Sequence, residues 1–177
     1  MNRSVWLLVV LACVMFAAPA WAQGVDRLEL EAMGQRISAV KPRGWVLGRP
    51  PRGSVALFQA AGDAASQIEI KATPGLQLEQ HKSYSAAFHA SLLKAGFKVS
   101  SRKPRALANA ALPKAQTFVY EVTSDGREFA MIVWEAHAGE VTWQIVGFFP
   151  LEAWDVMIEP LAAAISGFAP PPMPAAP

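Results

Sequence analysis

Cysteine is almost missing from this chain: 177 residues hold one, Cys13, inside an N-terminal apolar stretch. A single cysteine excludes a disulfide framework within the chain and a multi-thiolate metal site. Histidine is scarce as well, with three residues, His81, His89 and His137. His81 and His89 fall on one expected helix about 12 Å apart along its axis, too far to share an ion. HExxH and clustered Asp pairs are missing too, so we expect no metal and no cofactor. There is no G-x-S-x-G, no P-loop and no Gly-rich dinucleotide fingerprint. The S-x-x-K match "SLLK" falls late in the expected helix and has no companion K-T-G, which makes it a chance match. Glu121, Glu135 and Glu140 read as ordinary polar positions of strands. No catalytic residue is assigned, and the expectation is a protein that is not an enzyme.

Each half of the chain is poor in charge of one sign. Residues 23–114 carry 14 Lys/Arg against 6 Asp/Glu, and residues 115–177 carry one base, Arg127, against 8 acids. Either the halves interleave in one fold and attract each other, or a basic patch meets an acidic partner or anionic lipid headgroups. Two patches qualify: Lys41, Arg43, Arg49 and Arg52, or Lys94, Lys98, Arg102, Lys103 and Arg105. Nucleic acid does not suit an exported chain with this balance.

Long apolar runs are also lacking, with one exception. "MNRSVWLLVVLACVMFAAPAWAQG" has a basic head, an apolar middle and the small-x-small exit Ala20-Trp21-Ala22. That is the layout of a secretory signal peptide cut after Ala22. Its apolar run, residues 5–18, is shorter than the roughly 20 residues a spanning helix needs. Lipidation at Cys13, in "VLAC", is the alternative, but the residues that follow stay apolar through Ala18. The expected organisation is a signal segment at 1–22, one α+β domain at 23–168 and a Pro/Ala-rich tail, "APPPMPAAP", at 169–177. The implied location is the periplasm or the outside, with no transmembrane span after cleavage. Without disulfides the domain depends on its core, which a 53% hydrophobic composition permits.

Residues 27–40 read as a hairpin around Gly34. "KPRGW" and "RPPRG" are rigid turns on either side of a short strand, "WVL". "VALFQAA" and "SQIEIKA" are strands, the second with Ile68 and Ile70 on one face and Gln67, Glu69 and Lys71 on the other. Residues 78–95 form the clearest helix, with Tyr84, Phe88, Leu92 and Ala95 at helical spacing and Gly96 ending it. "KVSSRK" is a short strand, and residues 104–115 read as a surface connection.

A three-strand meander follows. Asp125-Gly126 suits a type I′ turn and sets a register: Val122 opposite Phe129, Tyr120 opposite Met131, Phe118 opposite Val133, Val119 opposite Ile132 and Thr117 opposite Trp134. A second turn at Ala138-Gly139 would set Trp134 opposite Trp143, Ile132 opposite Ile145 and Phe129 opposite Phe148. Both faces of the meander are apolar, so each needs a cover. The helix at 78–95 is one. The other is a C-terminal stripe, Trp154, Met157, Ile158, Leu161, Ile165 and Phe168, read as two helices meeting near Pro160. The fold class is α+β: an antiparallel sheet of about six strands with helices packed on both faces.

The order of "PRGW", a hairpin, a helix ending "LLKAGF", a meander turning at "SDG" and "HAGE", and a helix ending "AISGF" resembles the PsbP-like superfamily over residues 30–168. That fold is shared by an extrinsic photosystem protein, a Ran-binding import factor and bacterial DcrB-like envelope proteins. The resemblance implies a non-enzymatic accessory or interaction protein of the cell envelope, whose partner is another envelope protein. It brings no catalytic residues to carry over, and residues 104–115 match none of its motifs.

The alternative is a carrier or sensor of a lipid or apolar peptide. It would use the Trp134/Trp143 face as a groove, with Trp45 on the rim and Arg49 and Arg52 at the mouth. The competing structural reading makes Trp134 and Trp143 a stabilising pair within the sheet. A carrier needs an enclosed apolar cavity, whereas an interaction protein needs an open patch or groove.

Overall fold

The computed structural model describes residues 26–105 and 107–171. The expected signal segment and residues 172–177 of the expected tail lie outside these. β1 (Asp26–Ala32) and β2 (Gln35–Lys41) form the expected hairpin, which stands apart as a two-stranded sheet. Then come β3 (Trp45–Gly48), β4 (Ser54–Ala60), β5 (Asp63–Pro74), α1 (Leu78–Lys94), β6 (Lys98–Val99), β7 (Gln116–Ser124), β8 (Arg127–Ala138) and β9 (Val141–Pro150). A 3-10 turn at Leu151–Ala153 leads into α2 (Trp154–Ser166). The main sheet has seven strands rather than about six, all antiparallel, in the order β3-β4-β5-β9-β8-β7-β6.

The first meander turn behaves as its residues demand. Asp125 and Gly126 both take positive φ, 50° and 75°, and every cross-strand pair expected between β7 and β8 is present. The second turn corrects the expected pairing. It uses Gly139-Glu140, with Ala138 opposite Val141 and Gly139 at φ 61°. Moving the turn by one residue slides the pairing by two, so every side chain keeps its face while its partner changes. Trp134 lies opposite Ile145, Ile132 opposite Gly147 and Phe129 opposite Pro150. Trp143 lies between Ala136 of β8 and Ala72 of β5. Each indole thus has a smaller neighbour, and the two tryptophans do not compete for one space. Phe129 and Phe148 still stack, at 5.1 Å, as diagonal neighbours.

Alternation divides the sheet into two unlike faces. On one, Phe58, Ile68, Ile70, Ile132, Trp134, Trp143, Ile145 and Phe149 form a fully buried floor. α2 covers it with Met157, Leu161, Ala164 and Ile165, and the β1–β2 hairpin adds Ile37 and Ala39. Two close approaches seat α2. Leu161 lies where a Cβ on Gly147 would stand 3.0 Å from it, and a Cβ on Gly167 would come within 2.2 Å of Val40. α2 is one continuous helix, not two meeting at Pro160. Pro160 removes a single N–H, and the carbonyl it leaves belongs to Val156, which is 75% exposed and open to water.

Residues 104–115 are more than a surface connection. Asn109 is buried, and its side-chain amide donates to the carbonyls of Ile165 (2.5 Å) and Phe168 (2.7 Å) at the end of α2. Its Oδ1 accepts from the N–H groups of Ala111 and Leu112. Past α2, Ala169 pairs with Ser38 of β2 through two backbone bonds, so the start of the expected tail is tied to the hairpin.

Candidate functional site

The groove that the alternative, carrier reading needs on the Trp134/Trp143 face is closed. Trp134 and Trp143 are 0% and 1% exposed, and Trp45 is buried in the same cluster. Phe168 packs on Trp143 at 5.1 Å, completing the cover. α2 and the hairpin supply enough apolar surface to seal this face, so the tryptophans act as core. Arg49 and Arg52 are exposed, at the end of β3 and in the loop beyond it. The five residues therefore do not form a common mouth.

The other face carries a polar layer. Here alternation places Gln67, Glu69, Lys71 and Thr73 of β5 beside Thr142, Gln144 and Val146 of β9 and Met131, Val133, Glu135 and His137 of β8. Val133, Val146 and Tyr120 form a small apolar cluster with Phe88 and Leu92 of α1. Beyond that cluster the layer turns polar. Glu135, read as an ordinary strand position, is 4% exposed and accepts from the Gln144 amide at 2.6 Å. The chain's three histidines lie in the same layer. His81 of α1 stacks on His137 of β8 at 4.8 Å. Its Nδ1 is 2.9 Å from Thr142 Oγ1, and its Nε2 is 3.9 Å from Glu135 Oε1. About two turns further along α1, His89 Nδ1 and Tyr120 Oη share a 2.6 Å hydrogen bond, with Phe118 packed on the ring at 4.0 Å.

Burial lowers the pKa of both His89 and His137 below the ordinary 6.5; Glu135 partly offsets this at His89, and the neighbouring His81 adds to it at His137. Burial also raises Tyr120, and the Glu135 charge adds to that. His89 Nε2, His137 Nδ1 and Gln144 Oε1 are buried without a partner among the described residues.

Thr142, His81 and Glu135 stand in the order of a hydroxyl–imidazole–carboxylate relay. The geometry does not complete it. Glu135 is beyond hydrogen-bond distance of His81, and Thr142 is buried beneath α1, where no substrate atom reaches its hydroxyl. The layer instead ties α1 to the sheet. No signal at fixed spacing in the sequence reveals it, because its members come from a helix and four strands.

An open feature lies beside this layer, at the β6–β7 edge of the sheet. A cleft of about 420 Å³ is lined by Leu107, Phe118, Val119 and Tyr120 together with Arg102, Lys103 and Arg105. It contains the core of the second basic patch read from the sequence. Arg102 is partly engaged, 3.6 Å from Glu121 and 5.6 Å over the Trp154 ring. Lys103 and Arg105 form no ion pair among the described residues. The two oppositely charged halves of the chain interleave in one sheet, since β9 pairs with β5 and β7 with β6; among the described ion pairs, His81–Glu135 and Arg102–Glu121 join them.

An antiparallel sheet with a helix on each face is thus the frame that any comparison must match. No family model matches the chain, and no curated protein does. Solved structures do. Ran-binding protein Mog1p of Saccharomyces cerevisiae superposes with a TM-score of 0.51 at 11% identity, over 82% of this chain and 95% of that one. LpqN of Mycobacterium tuberculosis, described as involved in cell envelope biogenesis, gives 0.51 at 12% identity, over 88% and 97%. A Bacteroides thetaiotaomicron protein gives 0.50 at 14% identity; 77% of this chain is covered, which spans 46% of that protein's length. At these identities the likeness establishes the fold alone. Among the described residues no helix is long and apolar enough to cross a membrane.

Proposed function

We propose that this chain is an exported accessory protein of the cell envelope, DcrB-like within the PsbP-like group, which binds another envelope protein and catalyses no reaction. The signal segment is cut after Ala22, and the mature chain works in the periplasm or outside the cell. The observation that carries the reading is the cleft at the β6–β7 edge. It is open and lined by both basic and apolar side chains, whereas the tryptophan face that a carrier would need is sealed. The occupant is an acidic segment bearing apolar side chains: its charges meet Lys103 and Arg105, and its apolar groups meet Phe118 and Leu107. LpqN, involved in cell envelope biogenesis, and Mog1p, a Ran-binding protein, agree with this choice.

The test is site-specific photocrosslinking in cells. A crosslinker at Thr117, which lines the cleft, should trap one defined envelope protein through an acidic stretch. Lys103→Glu with Arg105→Glu should abolish that product. A crosslinker at Leu47, on the opposite edge of the sheet, should not form it. Equal trapping at Leu47, or a product insensitive to charge reversal, would remove the cleft as the docking site. An apolar molecule of constant mass in the native mass spectrum would favour a carrier instead.

A further inference from the structure

α1 holds the sheet in an unusual way for a helix that covers one. α2 buries four side chains, but α1 buries none completely. Phe88 and Leu92 give it a half-buried apolar grip near its C-terminal end. The rest of its attachment is polar. His81 reaches Thr142, His89 reaches Tyr120, Tyr84 meets Thr73 at 3.3 Å, and Gln77 donates to Glu140 at 2.5 Å. Gly75 and Gly96, both at positive φ, stand just outside its two ends, where a helix that moves as a unit would turn.

We propose that α1 is an acid-released cover: protonation of His89, on α1, and His137, on β8, sets positive charge between the helix and the sheet against one buried carboxylate, Glu135, and α1 lifts while the sheet stays paired. The charge inventory of the layer supports this. β8 contributes Glu135 and His137, and β7 contributes Tyr120. β5 contributes Lys71 and Glu69, 3.3 Å apart and so already offsetting each other. Thr142 and Gln144 of β9 carry no charge, and Glu140 lies at the exposed β8–β9 turn beside Gln77. On α1 itself, His81 and Tyr84 complete the set. One carboxylate balances one imidazolium, and the second is left uncompensated in a buried layer. Stacking compounds this, because a charged His137 faces His81 at 4.8 Å.

The direction with pH follows from linkage. Both histidines have pKa values below the ordinary 6.5 while α1 is in place. When α1 lifts, they return towards that value and take up protons more readily. The histidine contribution to closure is therefore complete above pH 6.5 and lost as pH falls through the depressed values. Each unit between the closed and open pKa changes the opening constant tenfold, about 1.4 kcal/mol.

Hydrogen–deuterium exchange, corrected for intrinsic rates, tests this at about pH 7.5 and about pH 5, on either side of the histidine range. The expected result is a fall in protection across residues 78–94, about tenfold for each unit by which closure depresses the two histidines, with β5, β8 and β9 unchanged. The double variant His89→Phe, His137→Phe keeps two aromatic rings and removes the titration, so its α1 should show no such fall. Three results would overturn the proposal: α1 protection indifferent to pH, α1 and the sheet losing protection together, or the double variant still opening in acid. If that variant fails to fold, imidazole titration by NMR in the wild-type chain decides. Values below 6.5 for His89 and His137 uphold the proposal, and values at or above it end it.

Discussion

Asn109 offers the sharpest test of how residues 104–115 contribute to stability. Its amide donates to the carbonyls of Ile165 and Phe168, and its Oδ1 accepts from two backbone N–H groups. Ile165 O also accepts from Phe168 N at 3.2 Å, so truncation leaves it a partner. Phe168 O is bonded by Asn109 alone among the described contacts, at the edge of the core. Asn109→Ala should therefore cost about 2–3 kcal/mol: one buried carbonyl left unsatisfied, plus the net loss of the other bonds. Asn109→Asp separates hydrogen bonding from packing. The carboxylate keeps the shape and still accepts from Ala111 and Leu112, but it turns an oxygen towards two carbonyls. It should destabilise more than alanine does at neutral pH, and recover in part when protonated. Urea unfolding of the three proteins measures this. An aspartate variant as stable as the wild type, or an alanine variant within about 0.5 kcal/mol of it, would show that Asn109 does not pin the end of α2.

Two further outcomes follow from the two faces. Trp143→Ala should destabilise by about 3–5 kcal/mol, the range for emptying a large core side chain, and should release no bound apolar molecule in native mass spectrometry. Glu135→Gln removes the carboxylate that holds up the pKa of His89, so that pKa should drop further below 6.5. The variant should lose more stability than the wild type between about pH 7.5 and about pH 5, measured by thermal melts at each pH. An equal loss in both proteins would exclude Glu135 as the counter-charge.

The elements whose signals are local were legible in the sequence. Asp125-Gly126 specifies a turn by itself, and with it the whole β7–β8 register. The next turn was displaced by one residue because Gly139 can take either turn position; the choice fell to packing, which seats Trp143 between Ala72 and Ala136. The faces survived that slip, since a shift of two preserves alternation. What was not legible depends on which elements meet. Glu135 sits among apolar residues with a polar alternation that reads equally well as a solvent face, and it is buried because α1 lies over it. His81 and His137 are separated by most of the meander and stack because α1 crosses the sheet between β5 and β6. Asn109 sits in an Ala- and Pro-rich run with no periodicity, and the carbonyls it binds lie over fifty positions away.

The cleft and the polar layer are joined by two side chains. Phe118 and Tyr120 are among the residues that line the cleft, and the same residues hold His89, through ring packing at 4.0 Å and a hydrogen bond at 2.6 Å. A segment bound in the cleft presses on the positions that α1 helps to fix. When α1 lifts, Tyr120 loses its partner and Phe118 loses the ring packed against it, so this part of the lining is no longer held by α1. An occupant that needs this lining must bind the closed form more tightly, and by linkage its binding must hold α1 closed to lower pH. The pH at which α1 opens should therefore fall when the trapped partner segment is added as a peptide. That shift depends on occupancy of the cleft, and Lys103→Glu with Arg105→Glu should abolish it while leaving the opening of the unbound protein where it was. A peptide that binds without moving the opening pH would show that the cleft and α1 act independently.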